Sequence, residues 1–175
     1  MTISWKDYLE HEKAHKEDPV KTQQFFEWII KTFCPQLEEV KGSVLEIGIG
    51  TSGGYLKTLD NHQFDYSVSL DPLYGDIKEK AEDMPFDDNT FDLVIISNAL
   101  SHCEDPAIVA KQIERVLKKN GILFLFNYYN EDKFHPHVYR NKEEILKLFT
   151  IKNILLKENP YHKGRNAFIV ALFQK

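Results

Sequence analysis

The run Val44-Leu45-Glu46-Ile47-Gly48-Ile49-Gly50-Thr51-Ser52-Gly53-Gly54 limits the folds open to this chain more than any other segment. It reads as an apolar strand that enters a glycine-rich turn, followed by a short helix-like segment around Tyr55 to Leu59. Glycines at such a turn let the backbone approach a ligand closely and aim N–H groups at it. The turn stands at the carboxyl end of a strand, where open α/β sheets bind their ligands.

From Ser43 onward, short apolar runs alternate with helical segments, which predicts βαβ units and a mainly parallel sheet. Strands are expected at 43–47, 65–70, 91–97 and 122–126. Asp105-Pro106 is a cap followed by proline, and Val109, Ile113, Val116 and Leu117 then share one helical face that Asn120-Gly121 closes. A further helix starts after Asn141, with Glu144 completing a capping box. Residues 151–156 and 167–173 have no helix between them and predict an antiparallel pair at the sheet edge. Upstream, Asp18-Pro19 opens a helix whose face carries Phe25, Phe26, Ile29, Ile30 and Phe33; Phe25 and Trp28 fit an apolar inner face shared with Trp5 and Tyr8, but are expected first in the core. The first eighteen residues mix Trp5, Tyr8 and Leu9 with many charges and read as a solvated helix.

Composition removes several function classes. A chain of 175 residues, 42% apolar, suits one domain. No stretch approaches the ~18 to 20 apolar residues of a membrane span. The first residues lack a secretory pattern, so a cytoplasmic protein is expected. With 22 basic against 27 acidic side chains, a net charge of -5 and no basic run, there is no electrostatic footprint for nucleic acid. Cys34 and Cys103 form no framework. His135 and His137 suggest a metal pair but have no third ligand nearby, so no metal is expected. The aromatic fraction, 13%, exceeds what the core requires and points to rings lining a pocket.

Gly48-x-Gly50-x-x-Gly53, with Asp71 ending the next strand, fits a dinucleotide fingerprint and keeps NAD open as a ligand. Glu46 argues against it. A pyrophosphate gains nothing from an acid on that strand, whereas a cationic ligand does.

At these residues the chain resembles the class I S-adenosylmethionine-dependent methyltransferases, particularly the small members that act on small molecules. Glu46 to Gly50 is similar to their first motif, whose acid and glycines face the amino acid end of the cofactor, and Thr51 and Gly53 continue that loop. Ser69-Leu70-Asp71-Pro72 resembles the second, in which the carboxylate takes both ribose hydroxyls, with Leu73 and Tyr74 near the adenine. Residues 81–94 resemble the third block, which implies that Asp83 bonds the adenine amine, with Glu82 as the alternative, and that the N–H of Met84 meets the ring. Ser97 and Asn98 match the loop after the fourth strand, and residues 113–121 the helix and turn before the fifth. Singly, each motif also has a plain structural reading as a turn or strand exit; the specificity lies in their joint order.

The resemblance implies a Rossmann-like, doubly wound, mainly parallel seven-stranded sheet of order 3-2-1-4-5-7-6 with an antiparallel C-terminal strand. The whole of 1–175 is then one domain, with a helical lid over 1–36 and a cofactor-binding core over 43–175. The segment between Asp71 and Asp83 is too short for the family's usual helix, leaving 77–80 as a short third strand and that sheet edge less covered.

The implied chemistry is methyl transfer from S-adenosyl-L-methionine, leaving S-adenosyl-L-homocysteine, by in-line displacement on a small-molecule acceptor. His102, after the fourth strand, is the candidate general base, although it also fits as a residue that closes the turn before Asp105. Trp5 and Tyr8 of the lid, and Tyr128, Tyr129 and His135 after the fifth strand, are candidate acceptor contacts. A monomer or homodimer without nucleic acid partners is expected. Two other readings stay open: a catalytically silent cofactor-binding regulatory or scaffold subunit, and an NAD- or nucleotide-binding domain.

Overall fold

A computed structural model describes residues 10, 18–51, 53–59, 64–129, 137–159 and 167–175. Trp5, Tyr8 and His135 lie outside the described residues, as does most of the expected N-terminal helix.

The elements follow in the order α1 (Pro19–Phe33), β1 (Gly42–Ile47), β2 (Phe64–Leu70), β3 (Phe91–Ser97), α2 (Pro106–Val116), β4 (Leu117–Tyr128), α3 (Lys142–Leu146), β5 (Lys152–Asn159) and β6 (Phe168–Gln174). They build one six-stranded sheet of order β2-β1-β3-β4-β6-β5. β1 runs parallel to β2 and β3, and β3 to β4; β6 runs antiparallel to both β4 and β5. This is the expected order without its outermost strand, and the expected seven strands are corrected to six among the described residues.

The physical reason lies after Asp71. A crossover with its own helix needs at least about ten to twelve residues, and here the chain turns straight back. Ile77 N donates to Ser69 O at 3.0 Å and Asp71 N to Ile77 O at 3.1 Å. The Asp76 carboxylate accepts from Ser69 N and Oγ at 2.9 and 2.7 Å. The strand expected at 77–80 is thereby reduced to a single parallel bridge between Leu70 and Ile77. Gly75 makes the fold-back possible, because a Cβ there would lie 2.3 Å from Asp71 N. β2 is left as an edge strand, with Asp65, Tyr66 and Ser67 facing solvent.

Helix starts follow local chemistry. Asp18 Oδ1 accepts from Val20 N and Lys21 N, and Asp105 Oδ1 from Ala107 N and Ile108 N. Such caps contribute about 1 kcal/mol each. Glu144 N donates to Asn141 Oδ1 at 3.1 Å, while Glu144 Oε2 accepts from Arg140 N at 2.8 Å. The Asn120-Gly121 helix stop is corrected: α2 ends at Val116 and passes directly into β4, where Asn120 adopts a left-handed φ of 67°. That residue sits where the β3–β4 register shifts between Phe91↔Leu117 and Leu93↔Ile122.

Helices cover both faces. α1 lays Phe26, Ile29 and Ile30 against Val44, Phe124 and Phe126. α2 and α3 lay Val109, Ile113 and Ile145 against the opposite face, with Leu45, Val94 and Leu123. Among the described residues, the β1–β2 connection carries only one 3-10 turn, Tyr55–Lys57. α1, which precedes β1, therefore shields the face that a full crossover helix would cover. Trp28 is not core as expected: it is 44% exposed, edge-on to Phe33 and Phe168.

Candidate active site

At the carboxyl ends of β1, β2 and β3 lies a cavity of about 380 Å³, within the range of small-ligand pockets. Its floor is the glycine loop. Gly48 N donates to Leu70 O at 2.9 Å, tying the end of β1 to β2. A Cβ at Gly48 would stand 2.4 Å from the Ala99 Cβ, so glycine here lets the loop after β3 close over the site. Gly50 also lines the cavity, whereas Thr51 and Gly53 do not.

Four acids from three separate segments border this space, Glu46, Asp71 and the neighbouring pair Glu79 and Glu82. Glu46, on β1, is fully buried, and its carboxylate accepts from Tyr55 N at 2.6 Å and Leu56 N at 2.8 Å. It thus caps the 3-10 turn while facing the cavity. Burial pushes its pKa up to about 7, against the two backbone N–H groups that favour the anion. Asp71 is 8% exposed. Its Oδ1 accepts from Leu73 N and Tyr74 N at 2.8 and 2.9 Å, and its Oδ2 from Gly50 N at 3.2 Å. Of the roughly four acceptor positions on a carboxylate, backbone groups occupy three.

Of the two acids in the third block, Glu82 reaches the cavity and Asp83 faces solvent. Glu82 Oε1 also accepts from Glu104 N and Asp105 N at 2.7 and 3.1 Å, binding this wall to the start of α2. Met84 is core, not cavity wall. Its carbonyl and that of Phe86 accept from the Arg115 guanidinium at 3.0 and 2.6 Å, so α2 clamps the whole segment.

Pro72, Leu73, Ser97 and Asn98 line the cavity as expected from the sequence. Asn98 holds a left-handed φ of 53° and its Oδ1 accepts from Tyr128 N at 3.3 Å. His102 lines the cavity from the 3-10 turn Leu100–His102. Cys103 adjoins it, with Sγ donating to Ala99 O at 3.2 Å and burial pushing its thiol pKa far up, which is inert chemistry. Tyr128 lines the cavity; Tyr129 points elsewhere, its hydroxyl donating to Glu158 Oε1 at 2.9 Å. Among the described residues, no group of three or more His, Cys, Asp or Glu is placed to hold a metal ion.

Sequence reasoning missed the α1 contribution of Lys21 and Thr22, and the tie from Gln23 Nε2 to Gly54 O at 3.0 Å that joins α1 to the loop. It also missed Gly75 and Asp76, for which the Gly-Asp pair was a legible turn signal.

A family model described as a methyltransferase domain matches residues 45–125, the segment that carries the loop, both acids after it and β3 to β4. That match, just under half of the chain, is consistent with the class I S-adenosylmethionine-dependent methyltransferase family. The domain has the fold of the N-methyltransferase NodS from Bradyrhizobium japonicum, with a TM-score of 0.67 at 12% identity, covering 91% of this chain and 98% of that one. It is 30% identical to an uncharacterised protein of Methanocaldococcus jannaschii over 66% of this chain and 58% of the relative. It is 28% identical to a tRNA U34 carboxymethyltransferase of Campylobacter lari over 90% of this chain and 64% of the relative. The chain thus spans about three fifths of the length of these curated relatives. Among the described residues, no helix of the domain is long and apolar enough to cross a membrane.

Proposed function

We propose that this chain is an S-adenosylmethionine-dependent methyltransferase that moves a methyl group to a small-molecule acceptor by in-line displacement. The observation that supports this reading is the convergence of Glu46, Asp71 and Glu82 around one glycine-floored cavity. When bound, the cofactor supplies an electrophilic methyl on a sulfonium. The protein has to hold that cation, align a nucleophile behind it and exclude water.

Glu46 suits an ammonium group, since a nearby cation restores the ionised state that burial opposes. Asp71 suits a pair of ribose hydroxyls, and binding both displaces the 3.2 Å bond from Gly50 N. Glu82, rather than Asp83, takes the adenine side. His102 accepts the proton that the acceptor loses. A net charge of -5 suits a small acceptor better than nucleic acid.

Calorimetry with S-adenosylmethionine, S-adenosylhomocysteine and NAD tests the reading, with Asp71→Ala as control. Both sulfur ligands bind the wild type and lose affinity in the variant; binding of NAD alone sinks the proposal. Labelled methyl from the cofactor then passes into a metabolite extract, whereas label appearing in RNA instead moves the acceptor class to nucleic acid. His102→Ala lowers turnover roughly a hundredfold or more with cofactor affinity unchanged. Unchanged turnover removes His102 from the mechanism.

A further inference from the structure

The charges around the cavity are unevenly signed. Its charged lining residues are Glu46, Asp71, Glu79 and Glu82 against Lys21 and Lys80. Both ammonium groups already face acids outside the wall: Lys21 Nζ lies 3.2 Å from Asp18 and Lys80 Nζ 2.7 Å from Glu104. Among the described residues, an anionic acceptor therefore meets lining lysines that each already have an acid within 3.2 Å, in a wall with more acids than lysines. A phenol or alcohol meets the same opposition at the moment its oxygen ionises, and a low-dielectric cavity sharpens it. A nitrogen does not. A neutral amine attacks carbon without ever carrying negative charge.

Part of the lining is aromatic. Phe25 from α1 and Tyr128 from the end of β4 both line the cavity, with near-parallel rings 18° apart in tilt and centroids 6.4 Å apart. Phe126 stands edge-on to both, at 5.6 and 4.9 Å. The faces of such rings attract a cation, and more strongly where water is excluded. A methylated amine becomes a cation as it forms.

We propose that the acceptor is an amine carried on an apolar body, methylated on nitrogen, and held by the ring faces of Phe25 and Tyr128. The proposal rests on the methyl-transfer reading above. The nitrogen lone pair forms the new N–C bond as the C–S bond breaks, the bonding pair stays on sulfur, and the positive charge passes to nitrogen. A primary or secondary amine then gives its proton to His102 or water. Before attack the amine must be unprotonated, which desolvation against apolar walls and the adjacent sulfonium favour and the lining acids oppose.

The test uses three probes of similar bulk and different charge, namely tetramethylammonium, tert-butanol and pivalate, titrated calorimetrically into the protein saturated with S-adenosylhomocysteine. Tetramethylammonium is expected to bind at least fivefold more tightly than either of the others. Phe25→Leu is expected to weaken it by roughly fivefold, as loss of a cation–π contact would, while S-adenosylhomocysteine still binds. Binding of tetramethylammonium no tighter than pivalate or tert-butanol overturns the amine assignment, and an unchanged affinity in Phe25→Leu overturns the role of the ring. Failure of S-adenosylhomocysteine to bind at the outset overturns the methyl-transfer reading itself, so the two failures are told apart.

Discussion

Gly75 has no counterpart among the loop glycines, because what it avoids is the backbone of the cavity acid Asp71. A Cβ at this position would lie 2.3 Å from Asp71 N and 2.8 Å from Ile77 O, both main-chain atoms that cannot rotate away. Gly75→Ala should therefore destabilise the fold by about 1 to 3 kcal/mol, as overpacking does. Urea denaturation measures this, and an unchanged midpoint would show that the fold-back is loose. Because Asp71 Oδ1 is set by Leu73 N and Tyr74 N in the same turn, cofactor affinity should fall with stability. At this scale the sequence exposed the acids well. Glu46 and Asp71 were legible because each stands at a fixed offset from a strand end and a glycine. The choice between Glu82 and Asp83 was not legible. Adjacent residues point differently, and only the contact with Glu104 N and Asp105 N turns Glu82 inward.

Among the elements, α2 does two jobs from opposite sides. Its buried face packs on the sheet, and Arg115 on its flank holds the carbonyls of Met84 and Phe86. Arg115→Ala leaves two carbonyls without their charged donor and should cost about 1 to 3 kcal/mol. It should also raise the KM for cofactor more than it lowers kcat, because the wall it fixes ends at Glu82 and not at the reacting atoms. Asp88→Asn is the control: that pair with Arg115 is exposed and its loss should shift stability by less than about 0.5 kcal/mol. Equal effects of the two substitutions would mean that Arg115 acts only through the surface pair. Strand positions and both Asp-Pro helix starts were readable from local pattern. The length of β4 was not, since Leu117 to Gly121 join a strand only through partners on β3 and at the C-terminal Lys175.

For the whole molecule, the buried acid couples ligand binding to pH. The pKa of Glu46, raised to about 7 from an ordinary 4.5, means that the unliganded fold favours its proton. The stability this group contributes is complete below about pH 4.5 and is lost as pH rises through 7, a loss of about 3 kcal/mol. A cationic ligand prefers the ionised form, so affinity for S-adenosylmethionine should rise up to about tenfold per pH unit below 7 and level off above it. Calorimetry between pH 5.5 and 8.5 checks this, and Glu46→Gln should give a flat, weaker profile; a flat wild-type profile would remove Glu46 from the binding site. On the acid side, hydrogen bonds from Ser69 hold Asp76 below the usual carboxylate range, so its contribution is present above the unfolded value and lost as pH falls further.

The sequence by itself determined where most strands lie, the glycine loop, the helix N-caps and which acids end which strands, because each depends on residues within a few positions of one another. Tertiary structure alone decided three things: that the edge strand shrinks to one bridge, that Phe25 and Lys21 of α1 stand in the cavity wall while Trp28 stays outside, and that Tyr128 faces the site while Tyr129 does not. These turn on how a helix rotates over a sheet and on which side of a strand end each ring leaves. That is fixed by packing between segments a hundred residues apart, which no local pattern records.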